Sequence, residues 1–383
     1  MQVTIEKLVY GGAGLARTEQ GVVFVPRTAP GDVVEVELVE RKADYATARI
    51  ASLLEPSPDR QTPTCPNYQT AGCCHWQHIR YSRQLAIKEA ILRETLQRTG
   101  RIAWEAPITI VSGADTHYRL RAAFHVYGHR VGFVKERSHT IVPILECSAL
   151  SSELNEFIPA ANEVLARPGM GGVREVHAVS GPPVLATFGR TRVGQGPARL
   201  DVDGCVFDLD PEAFFQSNRF LLAPFAREIV TAAAGAQRVL DLFCGSGFFT
   251  IPLAKQAGEV LGVETSRTAV EQAGLNAKIN NVANVKFFEG SVEKILRKSA
   301  DVRPDVVVLN PPREGAGRDV AGLVAGLGAA RIVYVSCNPS TFAREAAVMI
   351  ASGYKLESVT MVDQFPNTYH IELVGVFRPQ NEK

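Results

Sequence analysis

The chain has 383 residues, with 41 Lys and Arg against 40 Asp and Glu, 46% hydrophobic and 21% charged residues. That balance excludes a disordered or strongly charged chain and suits two or three globular domains. No apolar run approaches a membrane span and MQVTIEKLVYGGAG is no signal peptide, so the expectation is a cytoplasmic protein, acting as a monomer. In a reducing compartment, seven cysteines point to metal binding, catalysis or burial rather than to disulfides.

Residues 1–52 hold short β-like runs, Val3–Ile5, Val22–Val25, Val33–Val39 and Thr47–Ala51, broken by Gly11-Gly12, Gly21 and Pro30-Gly31-Asp32. This spacing predicts a small β-barrel. Leu53–Thr64, rich in proline and polar residues, reads as a linker, followed by Cys65 and then Cys73-Cys74-His75-Trp76-Gln77-His78. Cysteine grouped with histidine raises zinc or an iron–sulfur centre, although two adjacent cysteines suit tetrahedral zinc poorly. A helix is expected over Ser82–Thr99, capped by Ser82 and closed by Gly100. Between His75 and Arg137 there are 11 Lys and Arg against 5 Asp and Glu, a candidate footprint for a polyanion. The central stretch to residue 206 mixes short strands with a helix around Leu154–Leu165, an α+β region. Arg119 and Arg121, two apart on a strand, are expected on one face as candidate phosphate contacts.

From Asp208 the pattern alternates between buried strands and helices. Arg238–Phe243 is a strand ending in Cys244-Gly245-Ser246-Gly247, and Val260–Val263 ends in Glu264. Glycines beside a helix N-terminus admit a cofactor, and an acidic residue after the second strand accepts hydrogen bonds from ribose hydroxyls. The sequence DLFCGSG, rather than G-x-G-x-x-G, favours S-adenosylmethionine over a dinucleotide, with Ser291 a candidate adenine-side contact. Val306–Leu309 and Ile332–Val335 are wholly apolar, as strands buried on both faces must be. They end in Asn310-Pro311-Pro312-Arg313 and Ser336-Cys337-Asn338-Pro339, which places Cys337 in the crevice where open α/β sheets bind ligands.

The cluster of motifs Phe214-Phe215-Gln216-Ser217-Asn218, DLFCGSG, NPPREG, SCNPSTFARE and VDQFPNTYHIE resembles the RNA 5-methyluridine (uracil-C5) methyltransferase family, and GGAGLAR with GVVFVPRTAPGDVVEVELVE is similar to a TRAM domain. The resemblance implies a multidomain protein: a TRAM-like, OB-like β-barrel over 1–52, a cysteine-bearing linker and central α+β domain over 53–206, and an α/β Rossmann-like methyltransferase domain over 207–383. It implies Gln216, Phe243, Glu264 and Asn310 as cofactor-site residues, Cys337 as nucleophile and Glu372 as proton acceptor. In the family's iron–sulfur segment, Cys65 and Cys74 match ligand positions, Ala71 stands in for a third with Cys73 as its substitute, and Cys147 matches the downstream ligand, implying a [4Fe–4S] cluster. Arg313 is a candidate RNA contact beside Arg119 and Arg121. The implied reaction is methylation of uridine C5 in structured RNA, with 23S rRNA favoured over the tRNA T-loop. An amino-group methyltransferase or a non-catalytic RNA-binding iron–sulfur protein are the alternatives. Arg313 in place of an aromatic residue after Asn-Pro-Pro, and the presence of both Cys337 and Glu372, oppose them.

Overall fold

The computed structural model describes residues 1–136, 138–181, 183–298 and 303–380. The N-terminal unit is one six-stranded sheet in the spatial order Gln2–Thr4, Val33–Arg41, Tyr45–Glu55, Gly21–Val25, Gly14–Thr18, Lys7–Leu8. Val34 and Val36 face inward while Glu35 and Glu37 face solvent, the alternation of a half-buried strand. The longest pairing, Val33–Arg41 with Tyr45–Glu55, carries register shifts that bend it. The strand Gly14–Thr18, not expected from its small residues, passes so close to its neighbours that a Cβ on Gly14 would lie 2.1 Å from Thr28 Oγ1. The expected linker is tied down at once: Arg60 Nε reaches the fully buried Asp32 at 2.7 Å.

A helix, Tyr81–Thr95, then continues into a wider turn over Leu96–Gly100. Its N-cap is Arg80 without a side-chain cap bond, so Ser82 does not cap it and lies exposed in the first turn. Ile87, Ile91, Leu92 and Leu96 bury one face in a core that runs from Val3 and Val34 of the first sheet to Leu240, Val307 and Tyr334 of the largest. The central region is a six-stranded antiparallel sheet, ordered Ile141–Pro143, Arg130–Val134, Arg121–Tyr127, Glu175–Val179, Leu185–Phe188, Thr191–Val193. The helix Ser152–Leu165, capped by Ser151, packs on it.

The largest sheet has eight strands, ordered Val285–Glu289, Glu259–Glu264, Arg238–Leu242, Val306–Leu309, Arg331–Ser336, Glu372–Pro379, Tyr354–Val362, Thr109–Val111. The first five are parallel, Glu372–Pro379 runs antiparallel between its neighbours, and Thr109–Val111 adds in parallel to Tyr354–Val362. Thr109–Val111 thus departs from the expected organisation: it precedes the central region yet belongs to the C-terminal sheet. Among the described residues no helix is long and apolar enough to cross a membrane.

Candidate active site

Parallel strands deliver their last residues to one edge of a sheet, and the antiparallel strand delivers its first residue there. Phe243 follows Arg238–Leu242, Glu264 ends the next strand, and Asn310 follows Val306–Leu309. The pairing of Ser336 with Leu373 brings Cys337, one residue beyond, beside Glu372. Phe243, Glu264, Asn310, Cys337 and Glu372, with Gln216 and Arg313, line one cavity of about 770 Å³.

The cofactor-side wall is held by hydrogen bonds from its own loops. Glu264 Oε2 accepts from the Gly245 N–H at 3.1 Å, and its Oε1 accepts from the N–H groups of Thr265 and Ser266 at 2.7 and 2.8 Å. Phe243 adopts φ of 60°, an uncommon backbone conformation for a bulky residue, at the sharp turn into Gly245 and Gly247. Asn276, which sequence reasoning did not single out, is fully buried and donates to the Ser246 carbonyl at 3.0 Å while accepting from the Asp208 N–H. An asparagine on a helix face carries no signal that it will meet a loop 30 residues earlier.

Burial sets the electrostatics of the reacting groups. It pushes the Cys337 thiol up to about 11, with Glu372 adding to the effect and Arg313 opposing it. Glu372 is 6% exposed, and burial pushes its carboxyl up to about 8. His370 is driven down to about 3 by burial and by Arg313, so it is neutral at pH 7, and Arg313 Nη2 donates to its Nδ1 at 2.7 Å. Tyr10 of the N-terminal sheet region hydrogen-bonds Arg313 as well. Phe214 is 69% exposed at the cavity wall, whereas Phe215 is buried.

Three expected site residues fall elsewhere. Ser291 and Arg121 do not line the cavity, whereas Arg119 does. Arg121 donates to the carbonyls of Pro211 and Phe215, fixing the segment that leads into Gln216, so the two arginines do not share one ligand-facing surface. Cys73, Cys74 and Cys147 line the far end of the cavity, while Cys65 is buried behind them against Tyr68 and Cys74. The adjacent thiols Cys73 and Cys74 are hydrogen-bonded to each other, which lowers Cys73 below the usual thiol range. Among the described residues no group of three or more His, Cys, Asp or Glu side chains is arranged to hold a metal ion. The [4Fe–4S] cluster expected on Cys65, Cys73, Cys74 and Cys147 is thus not supported by the structure, although the four thiols lie within electrostatic reach of one another.

A doubly wound sheet whose crevice joins an acidic wall to a half-buried thiol and a buried carboxyl defines an α/β group-transfer enzyme. The profile described as tRNA (Uracil-5-)-methyltransferase matches residues 204–380, and that described as the TRAM domain of tRNA (uracil(54)-C(5))-methyltransferase matches residues 1–58. An uncharacterized RNA methyltransferase of Aquifex aeolicus is 34% identical over 98% of each chain. The 23S rRNA (uracil(1939)-C(5))-methyltransferase RlmD of Vibrio parahaemolyticus is 32% identical over 98% of this chain and 95% of its own. The crystal structure of Pyrococcus abyssi tRNA (uracil-54, C5)-methyltransferase superposes with a TM-score of 0.80 at 24% identity, covering 98% of this chain and 100% of that one. The chain belongs to the RNA uracil-C5 methyltransferase family, with a TRAM domain at its N-terminus.

Proposed function

We propose that this protein transfers a methyl group from S-adenosylmethionine to C5 of a uridine in 23S rRNA, through a covalent bond between Cys337 and uracil C6. The observation that carries this reading is the strand register that sets Cys337 beside Glu372, in the cavity that Phe243, Ser246 and Glu264 also line. Gln216, Phe243, Glu264 and Asn310 line that crevice and would hold the cofactor, with the Glu264 carboxylate suited to ribose hydroxyls. When bound, the cofactor supplies an electrophilic sulfonium methyl. Residues 1–52 and the central region over 53–206 are read as RNA-delivering parts around the methyltransferase region over 207–383.

Uracil C5 is too weak a nucleophile to take that methyl unaided. Addition of the Cys337 thiolate to C6 converts the ring to an enolate, and C5 then forms the new carbon–carbon bond. Arg313, whose field favours the Cys337 thiolate, also suits the developing enolate oxygen. C5 then carries both hydrogen and methyl. The Glu372 carboxylate takes that proton, the ring double bond reforms and the sulfur leaves. A uridine must leave its stack to reach this depth, and exposed Phe214 offers an aromatic face at the cavity wall.

Full-length relatives named for 23S rRNA, at 32% identity against 24% for the tRNA-modifying structure, support ribosomal RNA over the T-loop. The test is incubation with 23S rRNA and tRNA transcripts, followed by nucleoside mass spectrometry. 5-Methyluridine in the 23S transcript is expected. Its appearance only in tRNA would transfer the reading to the T-loop, and a methylated amino group would overturn it.

A further inference from the structure

Two motifs, NPPREG and SCNPSTFARE, supply Arg313 and Cys337, but several of their residues face no cavity. The structure puts those residues to one use. Helix Pro339–Ala351 begins immediately after the nucleophile, with Asn338 as its N-cap. Asn338, Thr341 and Glu345 are spaced three and four apart and so share a helix face. That face meets residues 313–317. Asn338 Nδ2 and Thr341 Oγ1 donate to the Arg313 carbonyl at 3.2 and 3.4 Å. Glu345, 3% exposed, accepts from the N–H groups of Ala316 and Gly317 at 3.1 and 3.0 Å and from the Tyr334 hydroxyl at 2.7 Å. Gly315 sits at φ of +89°, and a Cβ there would lie 2.1 Å from Thr341 Cγ2 and 2.2 Å from Glu345 Oε1.

We propose that Glu345 is a positioning residue whose buried carboxylate clamps the 313–317 segment and thereby fixes Arg313 beside Cys337. It does not line the cavity and touches no reacting atom. A carboxylate accepting several hydrogen bonds, two of them from consecutive backbone N–H groups, holds a loop far more tightly than a neutral side chain does. The lever is short: Arg313 is three residues before Ala316, it donates to His370, and its charge opposes the burial that suppresses the Cys337 thiolate. Loosening the clamp lets that charge move away, and the nucleophile becomes less acidic.

The inference rests on Cys337 being the reacting thiol, but its test does not need methyl transfer. Alkylation of Cys337 by iodoacetamide, read by mass spectrometry of its peptide across pH, is compared in wild type, Glu345→Gln, Glu345→Ala and Arg313→Met. The alkylation midpoint is expected to move to higher pH in Glu345→Ala, with the rate at pH 8 falling about threefold. Arg313→Met should reproduce the shift, the double variant should add nothing to it, and Glu345→Gln, which keeps an acceptor oxygen, should fall between. In turnover, kcat is expected to fall about tenfold in Glu345→Ala with KM for the cofactor unchanged. An unchanged midpoint in either Glu345 variant, or shifts that add in the double variant, would overturn the proposal. Should Glu345→Ala fail to fold, Glu345→Gln and Thr341→Val carry the same comparison. A shifted midpoint in a protein that methylates no uridine would retain the clamp and refute the reaction.

Discussion

Lys88 Nζ stands 2.5 Å from Asp363 Oδ1, and neither side chain reaches solvent. Lys88 lies on the helix that follows the first sheet, Asp363 at the start of the loop leading to His370 and Glu372. Lys88 also donates to the Phe365 carbonyl at 3.1 Å, and the Tyr81 hydroxyl donates to Asp363 at 2.8 Å. Burial pulls the Lys88 ammonium down, while Asp363 opposes the effect. The pair holds the loop that carries the carboxylate.

A buried ion pair broken on one side leaves an uncompensated charge. Lys88→Met is therefore expected to cost about 3–5 kcal/mol in urea unfolding, and Lys88→Met with Asp363→Leu less than the single change. A loss below about 1 kcal/mol for the single variant would show that the pair is not under tension of this kind.

Glu372 couples stability to pH in the sense opposite to a salt-bridged acid. Burial raises its folded value to about 8 from an ordinary 4.5, so the folded state holds the proton more tightly. Its favourable contribution is complete below the unfolded value and is lost as pH rises through 8. Glu372→Gln should thus raise Tm at pH 8.5, corresponding to a few kcal/mol, and leave it nearly unchanged at pH 4. The same variant should lose turnover, and wild-type kcat/KM should climb with pH between 6 and 8, because base and nucleophile both act deprotonated.

Arg119 and Arg121 separate under test because the structure gives them different partners. Arg119→Met is expected to weaken RNA binding and reduce its salt slope by about one, leaving cofactor affinity intact. Arg121→Met releases the carbonyls of Pro211 and Phe215 and should weaken cofactor binding through Gln216. Calorimetry with cofactor and a salt series with RNA distinguish the two. A lowered RNA salt slope in Arg121→Met would reverse this assignment.

Gly12 measures how closely the first sheet region presses on the site. At φ of +92°, a Cβ there would lie 2.8 Å from the Tyr369 ring, and the Gly12 carbonyl accepts from Trp76 Nε1 at 3.1 Å. Gly12→Ala is expected to cost about 1–3 kcal/mol and to lower RNA methylation more than cofactor affinity. Equal stability to wild type in thermal unfolding would refute the contact.

The buried parallel strands were legible because a strand covered on both faces must be apolar throughout, and Val306–Leu309 is. Cys337 was legible for the related reason that polar residues interrupt such runs at the ligand edge, whereas Glu372 came only from the family resemblance. Thr109–Val111 was not, since three residues between EAPI and SGA carry no period and gain their place only from Tyr354–Val362. Gly14–Thr18 lacked β-branched residues until its last position. The Cys65 to Cys147 set was legible as a group, but spacing says nothing of where each thiol lies: Cys73, Cys74 and Cys147 line the cavity and Cys65 does not. Arg121 and Ser82 were read from residue type; each was overruled by a partner, or by the lack of one, that only the tertiary fold supplies. Glu345 is the clearest case, because its partners are backbone N–H groups 28 and 29 residues earlier in the chain.

The measurement that tests the central claim most directly is trapping on RNA containing 5-fluorouridine in the presence of S-adenosylmethionine. Fluorine at C5 cannot leave as a proton, so Glu372 has nothing to abstract and the Cys337–C6 bond should persist as a protein–RNA adduct stable to denaturing gel electrophoresis. Peptide mass spectrometry should place it on Cys337, and Cys337→Ala should form none. An adduct of undiminished yield in Cys337→Ala, or its absence in a wild-type protein that methylates unmodified RNA, would contradict the account.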